Sequence, residues 1–182
     1  MQPAKQLAQV VASLADAEHN LFTLDDLHGA LPQLSRAALR ALLSRVQRDG
    51  WLKRVCRGLY LCPKAGASGG RLLYHAAARL RAHEFNYLSL ESVLSDAGII
   101  SQVPSNWITL MSSGRSHLVA CGGYGHIEFV HTQKRPAAVA DQLTYDTDCR
   151  LWRATPALAL SDMQATRRNT DLVDWEMARE SV

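Results

Sequence analysis

Ser35-Arg-Ala-Ala-Leu-Arg-Ala-Leu-Leu-Ser-Arg-Val-Gln-Arg-Asp-Gly-Trp-Leu-Lys-Arg-Val-Cys-Arg-Gly-Leu-Tyr-Leu61 is the stretch on which the fold turns. At about 100° per residue, Leu39, Leu42, Leu43 and Val46 share one face of a helix. Arg36, Arg40, Ser44, Gln47 and Arg48 fall on another, with Arg45 at its margin. Ser35 is a natural N-cap, and Asp49-Gly50 a natural end. Trp51 to Val55 then reads as a strand, Cys56-Arg57-Gly58 as a tight turn and Leu59 to Leu61 as the return strand.

Upstream, Leu7, Val10, Val11 and Leu14 recur at helical spacing and predict a first helix over Pro3–Glu18. Thr23, with Asp26 three positions on, predicts the capped start of a short helix over Leu24–Ala30 that stops at Leu31-Pro32. Three helices followed by a hairpin is the order of a winged helix-turn-helix. Between Gln33 and Lys64 eight basic side chains (Arg36, Arg40, Arg45, Arg48, Lys53, Arg54, Arg57, Lys64) face one acid, Asp49. That imbalance is a phosphate-binding signal.

The charge is local. Residues 1–64 carry nine Lys/Arg against five Asp/Glu, whereas the remainder carries eleven against twelve. The whole chain, 182 residues with a formal net charge of +3, is 47% hydrophobic and 20% charged, a globular composition. Met1 to Val11 has no apolar run typical of a secretory signal, and no stretch approaches the roughly eighteen apolar residues of a membrane span. The cysteines (Cys56, Cys62, Cys121, Cys149) form no C-x-x-C pair. A reduced cytoplasmic protein without membrane partner, metal or cofactor is expected.

Lys64 to Gly70 is small and flexible in composition and marks an expected boundary between a winged-helix domain (1–66) and a C-terminal domain (67–182). Beyond it, helices are expected over Arg71–Arg81 and Asn86–Gly98, the latter with Ser89 near its cap. Strands are expected over Trp107–Met111, Ser116–Ala120 and His126–Thr132, and helices again over Pro156–Met163 and Asp171–Ser181. The fold class is therefore α+β: a winged helix followed by a small α+β domain with an antiparallel sheet.

Ser35, Arg36 and Arg40 sit where a recognition helix enters the major groove, and an Arg there can fork onto guanine O6 and N7. Ser44, Arg45 and Arg48 extend the basic stripe. Lys53, Arg54 and Arg57 suit phosphate contacts that set position and salt dependence. Tyr60 reads as a strand aromatic packed beneath the hairpin. Enzyme chemistry has little to stand on. His19, His28, His75, His83, His117, His126 and His131 form no zinc-ligand spacing, and Cys121-Gly-Gly-Tyr-Gly125 lies between strands with no G-K-[ST]. Asp141, Asp146 and Asp148 lack a calcium-loop pattern. No catalytic residues are assigned.

Several segments carry a family resemblance. Tyr87-Leu-Ser-Leu-Glu-Ser-Val-Leu-Ser-Asp-Ala-Gly-Ile-Ile100, Trp107-Ile-Thr-Leu110, Gly125-His-Ile-Glu-Phe-Val-His131, and Ala154-Thr-Pro156 with Ala159, Leu160 and Asp162 resemble segments of the AbiEi antitoxins of type IV toxin–antitoxin operons. Gly50 to Tyr60 is similar to that family's wing. Ala157-Leu158 depart from its usual Glu-Lys. The resemblance implies an autoregulating repressor that binds double-stranded promoter or operator DNA, inverted repeats included. It also implies a C-terminal domain acting against a nucleotidyltransferase-like toxin. Two readings stand beside it: a stand-alone regulator with no toxin, and a protein-interaction module whose basic helix docks an acidic partner.

Overall fold

The computed structural model describes residues 3–66, 69–101 and 104–181, so Ala67 and Ser68 of the expected linker lie outside the described residues. The chain divides into two compact units, Met1–Leu72 and Leu73–Val182.

The first unit contains α1 (Pro3–Leu14), β1 (Leu21–Thr23), α2 (Leu24–Ala30), α3 (Arg36–Arg48), β2 (Lys53–Cys56) and β3 (Leu59–Leu61). Its three strands pair antiparallel in the order β1-β3-β2. α1 ends four residues before the expected Glu18. There Asp16 accepts the backbone N–H groups of Glu18 and His19, turning the chain out of the helix. The capping box at Thr23 and Asp26 forms as read. Ser35 caps α3 by accepting the Ala38 N–H at 3.2 Å.

Leu39, Leu42, Leu43 and Val46 of α3 are buried with Leu7 and Val11 of α1, Leu27 and Leu31, Leu52, Phe22 and Tyr60. Each such aliphatic side chain contributes roughly 2 kcal/mol by leaving water. The seam holds α3 with its basic side outward. Tyr60 belongs to this core, as expected of a strand aromatic.

In the second unit come α4 (Leu72–Leu80, beginning at the unit's margin), β4 (Asn86–Leu88), α5 (Leu90–Asp96), β5 (Trp107–Ser112), β6 (His117–Ala120), β7 (His126–His131), α6 (Pro136–Val139), β8 (Leu143–Asp146), β9 (Leu151–Ala154), α7 (Pro156–Ala165) and α8 (Trp175–Ser181). The α+β class holds. The sheet has six strands in the order β6-β7-β5-β4-β9-β8. Three of its pairings are antiparallel, and two, β5 with β7 and β4 with β9, are parallel.

One expectation needs correction. Asn86–Gly98 is not a single helix: Asn86–Leu88 is a buried strand between β5 and β9, and Leu90 turns the chain into α5 with φ of 57°. A three-residue strand is too short to show alternation, and a left-handed Leu carries no glycine signal. Gly125 is a true steric requirement. A Cβ there would overlap the Asn106 carbonyl, which accepts the His126 N–H at 2.8 Å as β7 begins.

The residues behind the resemblance in this unit meet in a buried polar network. Asp162 of α7, fully buried, accepts hydrogen bonds from the Tyr87 hydroxyl (3.0 Å), the Ser89 hydroxyl (2.7 Å) and the Lys134 ammonium (2.6 Å). Ser89 therefore spends its hydroxyl on Asp162 and makes no side-chain cap to α5. Burial, and then the Asp162 charge, push the Tyr87 hydroxyl well above its usual range. Ser92 and Thr109 exchange backbone-to-hydroxyl bonds, and the Thr109 hydroxyl donates to the Ser89 carbonyl, fastening α5 to β5. Arg168 bridges Glu91 and Glu128, and its hydrogen bonds hold the Glu128 carboxyl below the ordinary range.

Asp162→Ala should take the shared acceptor from the buried Tyr87 and Ser89 hydroxyls and the counter-charge from the part-exposed Lys134. We expect a loss of about 2–4 kcal/mol, tempered because Lys134 can turn toward water. Thermal denaturation of the full chain measures it, and Lys134→Met alone should cost less.

Candidate nucleic-acid interface

Four of the nine candidate side chains, Arg40, Ser44, Arg54 and Arg57, line one cleft of about 620 Å³ between α3 and the hairpin. Leu24, Gln47, Gly58 and Tyr60 complete its lining. Arg40, Ser44 and Gln47 are spaced four and three residues apart, so they form one stripe along about 10 Å of α3. The lining includes no carboxylate.

The hairpin is locked in place opposite that stripe. Gly58 takes a φ of 81° at its turn, which an L side chain adopts only with strain. The Gly58 carbonyl accepts the Leu24 N–H at 2.9 Å, tying the turn to the start of α2. A bulge between Arg54 and Cys56 bends β2. Across it the Arg54 Nε donates to the Cys56 carbonyl at 3.2 Å. Arg54 stands opposite Tyr60 and shares its side of the hairpin, on the cleft.

The remaining candidates lie elsewhere. Lys53 precedes Arg54 on the strand and so points to the other face of the hairpin. Arg45, nine residues after Arg36, lies on the opposite side of the helix axis from it, beyond the stripe. Arg48 reaches back to the Ser44 carbonyl from the last turn of α3. Ser35 is committed to its capping bond. Arg36 donates from Nη2 to Asp25 Oδ1 of α2 at 2.6 Å, an ion pair with both partners exposed. In contrast, the side chains of Arg40, Arg45, Lys53 and Arg57 make no hydrogen bond or ion pair among the described residues. Their donors face solvent.

Two contributors stand outside the nine candidates, Gln47 although the sequence places it on the face of Arg40 and Ser44. Gln47 continues the Arg40–Ser44 stripe, and its seven-residue spacing from Arg40 was the available signal. Asp25 sits eleven residues before Arg36 on another helix, and its sequence position alone gave no sign of the pairing.

The strand histidines do not gather. His126 stacks on Trp107, His131 at the far end of β7 bonds the Gly114 carbonyl, and His117 stands opposite Phe129 at the sheet edge. Among the described residues no group of three His, Cys, Asp or Glu is placed to hold a metal. The four cysteines are free and buried, and burial with the neighbouring Asp146 carboxylate pushes the Cys149 thiol up to about 11. No helix of the described residues is long and apolar enough to cross a membrane.

The first unit is thus a winged helix with an acid-free cleft between its third helix and its wing. Residues 9–63, which lie within that unit, match the family model described as a transcriptional regulator, the AbiEi antitoxin. That stretch of the chain is therefore similar to the transcriptional regulators which the model describes. The match does not extend to the second unit. A crystal structure of the RV2827C protein from Mycobacterium tuberculosis is similar in fold, with a TM-score of 0.50 and 18% identity over 91% of this chain. The chain spans about half, 53%, of that protein's length. No curated protein matches the sequence.

Replacing Arg54 and Arg57 together by Ala should make the log–log dependence of duplex affinity on salt shallower by about two, one phosphate for each guanidinium. A titration series across ionic strength reads this directly. An unchanged slope would place the hairpin away from the phosphates.

Proposed function

We propose that this protein is a sequence-specific DNA-binding repressor that controls its own promoter as the antitoxin of a type IV toxin–antitoxin pair. The observation that carries the reading is the cleft between α3 and the wing. Arg40, Arg54 and Arg57 converge there with no carboxylate, on a unit matched by a transcriptional-regulator family. In this reading α3 lies in the major groove. Arg36 and Arg40 read base edges, and the wing grips the flanking backbone through Arg54 and Arg57. Ser35, Ser44, Arg45, Arg48 and Lys53 add backbone contacts as the groove curves past them.

DNA contact belongs to the first part of the chain, about residues 1–66, where the surplus of positive charge lies. The second part, about 67–182, acts against a nucleotidyltransferase-like toxin in the same cytoplasm. The support for that role is the resemblance carried by Tyr87, Ser89, Thr109 and Asp162, which build its buried network. No catalytic residue, metal or cofactor enters the proposal.

The test is a fluorescence-anisotropy titration of the full chain against duplex spanning its own promoter and a shuffled duplex of equal composition. The promoter should be held tighter by roughly three orders of magnitude or more, and both affinities should fall steeply with salt. Equal affinity for the two duplexes would contradict the reading. For the antitoxin role, co-expression with a nucleotidyltransferase encoded beside it should restore growth that the toxin alone arrests.

A further inference from the structure

We infer that Asp25 is a specificity-determining residue: it holds the Arg36 guanidinium at the leading end of α3 and penalises any duplex that offers Arg36 only phosphate. This inference rests on the DNA-binding reading above.

Asp25 has no duty in capping its own helix. The Thr23 N–H donates to Asp26 Oδ2 at 2.7 Å, and the Asp26 N–H donates to the Thr23 hydroxyl at 3.1 Å, so the capping box closes without it. Instead Asp25 reaches to a different helix and accepts Arg36 Nη2 at 2.6 Å. The side chains are 75% and 55% exposed, and an exposed pair of this kind adds little to folding. Its consequence lies at the surface.

Arg36 is the first residue of α3, next to the Ser35 cap, where recognition-helix side chains reach base edges. Only one nitrogen of its guanidinium is engaged, and the other donors have no partner among the described residues. A guanidinium anchored in this way has fewer conformations to lose when its free donors meet guanine O6 and N7. An unanchored arginine would take any nearby phosphate and carry no sequence information. The Asp25 carboxylate also repels the backbone that approaches α2. It thus weakens every complex a little and the wrong ones most, which is how a repulsive element sharpens selection.

Removing the carboxylate should therefore tighten binding to unselected duplex while lowering discrimination at one base pair of the recognised one. A simple first-turn acid, placed only to suit the helix dipole, would change thermal stability and leave base preference alone.

The experiment uses the full chain, a duplex recovered by the wild type from a randomised pool, and single-base-pair variants of it alongside a shuffled duplex. Asp25→Asn should bind the shuffled duplex about two- to threefold tighter, as expected for losing one screened like charge. It should also lose about fivefold or more of discrimination at one base pair. Arg36→Ala should lose discrimination at that same base pair, and the double variant should match Arg36→Ala rather than add to it. Full discrimination in Asp25→Asn, a loss at a different base pair, or additive losses would overturn the inference while leaving DNA binding standing. A wild type that holds recovered and shuffled duplexes alike would overturn the DNA-binding reading and this inference with it. Circular dichroism of each variant checks that the exposed substitutions leave the fold intact.

Discussion

The apolar seam of α3 governs what the first unit presents to its surroundings. Leu39, Leu42, Leu43 and Val46 can be buried only if α3 lies against α1, α2 and the strands. That single constraint fixes the rotation of the helix about its axis. It turns Arg40, Ser44 and Gln47 toward the wing and sends Arg45 to the far flank. The wing meets the stripe because its turn is pinned to the start of α2 through Leu24 and Gly58. The positive cleft is therefore a by-product of core packing and one backbone hydrogen bond. No interaction among the arginines themselves is needed, and they would resist being gathered without an anion.

The second unit is organised differently. Its sheet is held to α5 and α7 by buried polar groups as well as by apolar packing, with Asp162 meeting Tyr87, Ser89 and Lys134. Such a network contributes less net stability than its hydrogen bonds suggest, because each group gives up water to enter it. What it adds is selectivity of arrangement: a strand, a helix start and a distant helix must meet correctly or leave charge unpaired. The fully buried carboxylate, bonded to three side chains, reads as a fastening.

Much of the first unit was legible in the sequence because its signals are local. The Thr23–Asp26 box, the Ser35 cap, the helical spacing of the leucines and the Arg57-Gly58 turn each act within a few residues. The second unit was less so. β4 is three residues long and leads into a left-handed Leu90, so a continuous apolar pattern looked helical. β8 and β9 went unseen because they are four-residue strands with exposed positions, including the Tyr145–Trp152 pair. The strand order, with β7 lying between β5 and β6, depends on contacts distant in sequence that no short-range pattern records. At the candidate interface the stripe was readable but its membership was not. Lys53 and Arg54 part company through strand alternation and a bulge, and Arg36 through an acid on another helix.

Hydrogen–deuterium exchange of the full chain, with and without saturating promoter duplex, tests the central claim most directly, since it maps contact without altering a residue. The account predicts slowed exchange in two backbone segments, the N-terminal turns of α3 and the wing from Lys53 to Gly58. The outer strands β6 and β8 of the second unit should exchange as they do in the free protein. Protection confined to the second unit, with α3 and the wing unchanged, would contradict it.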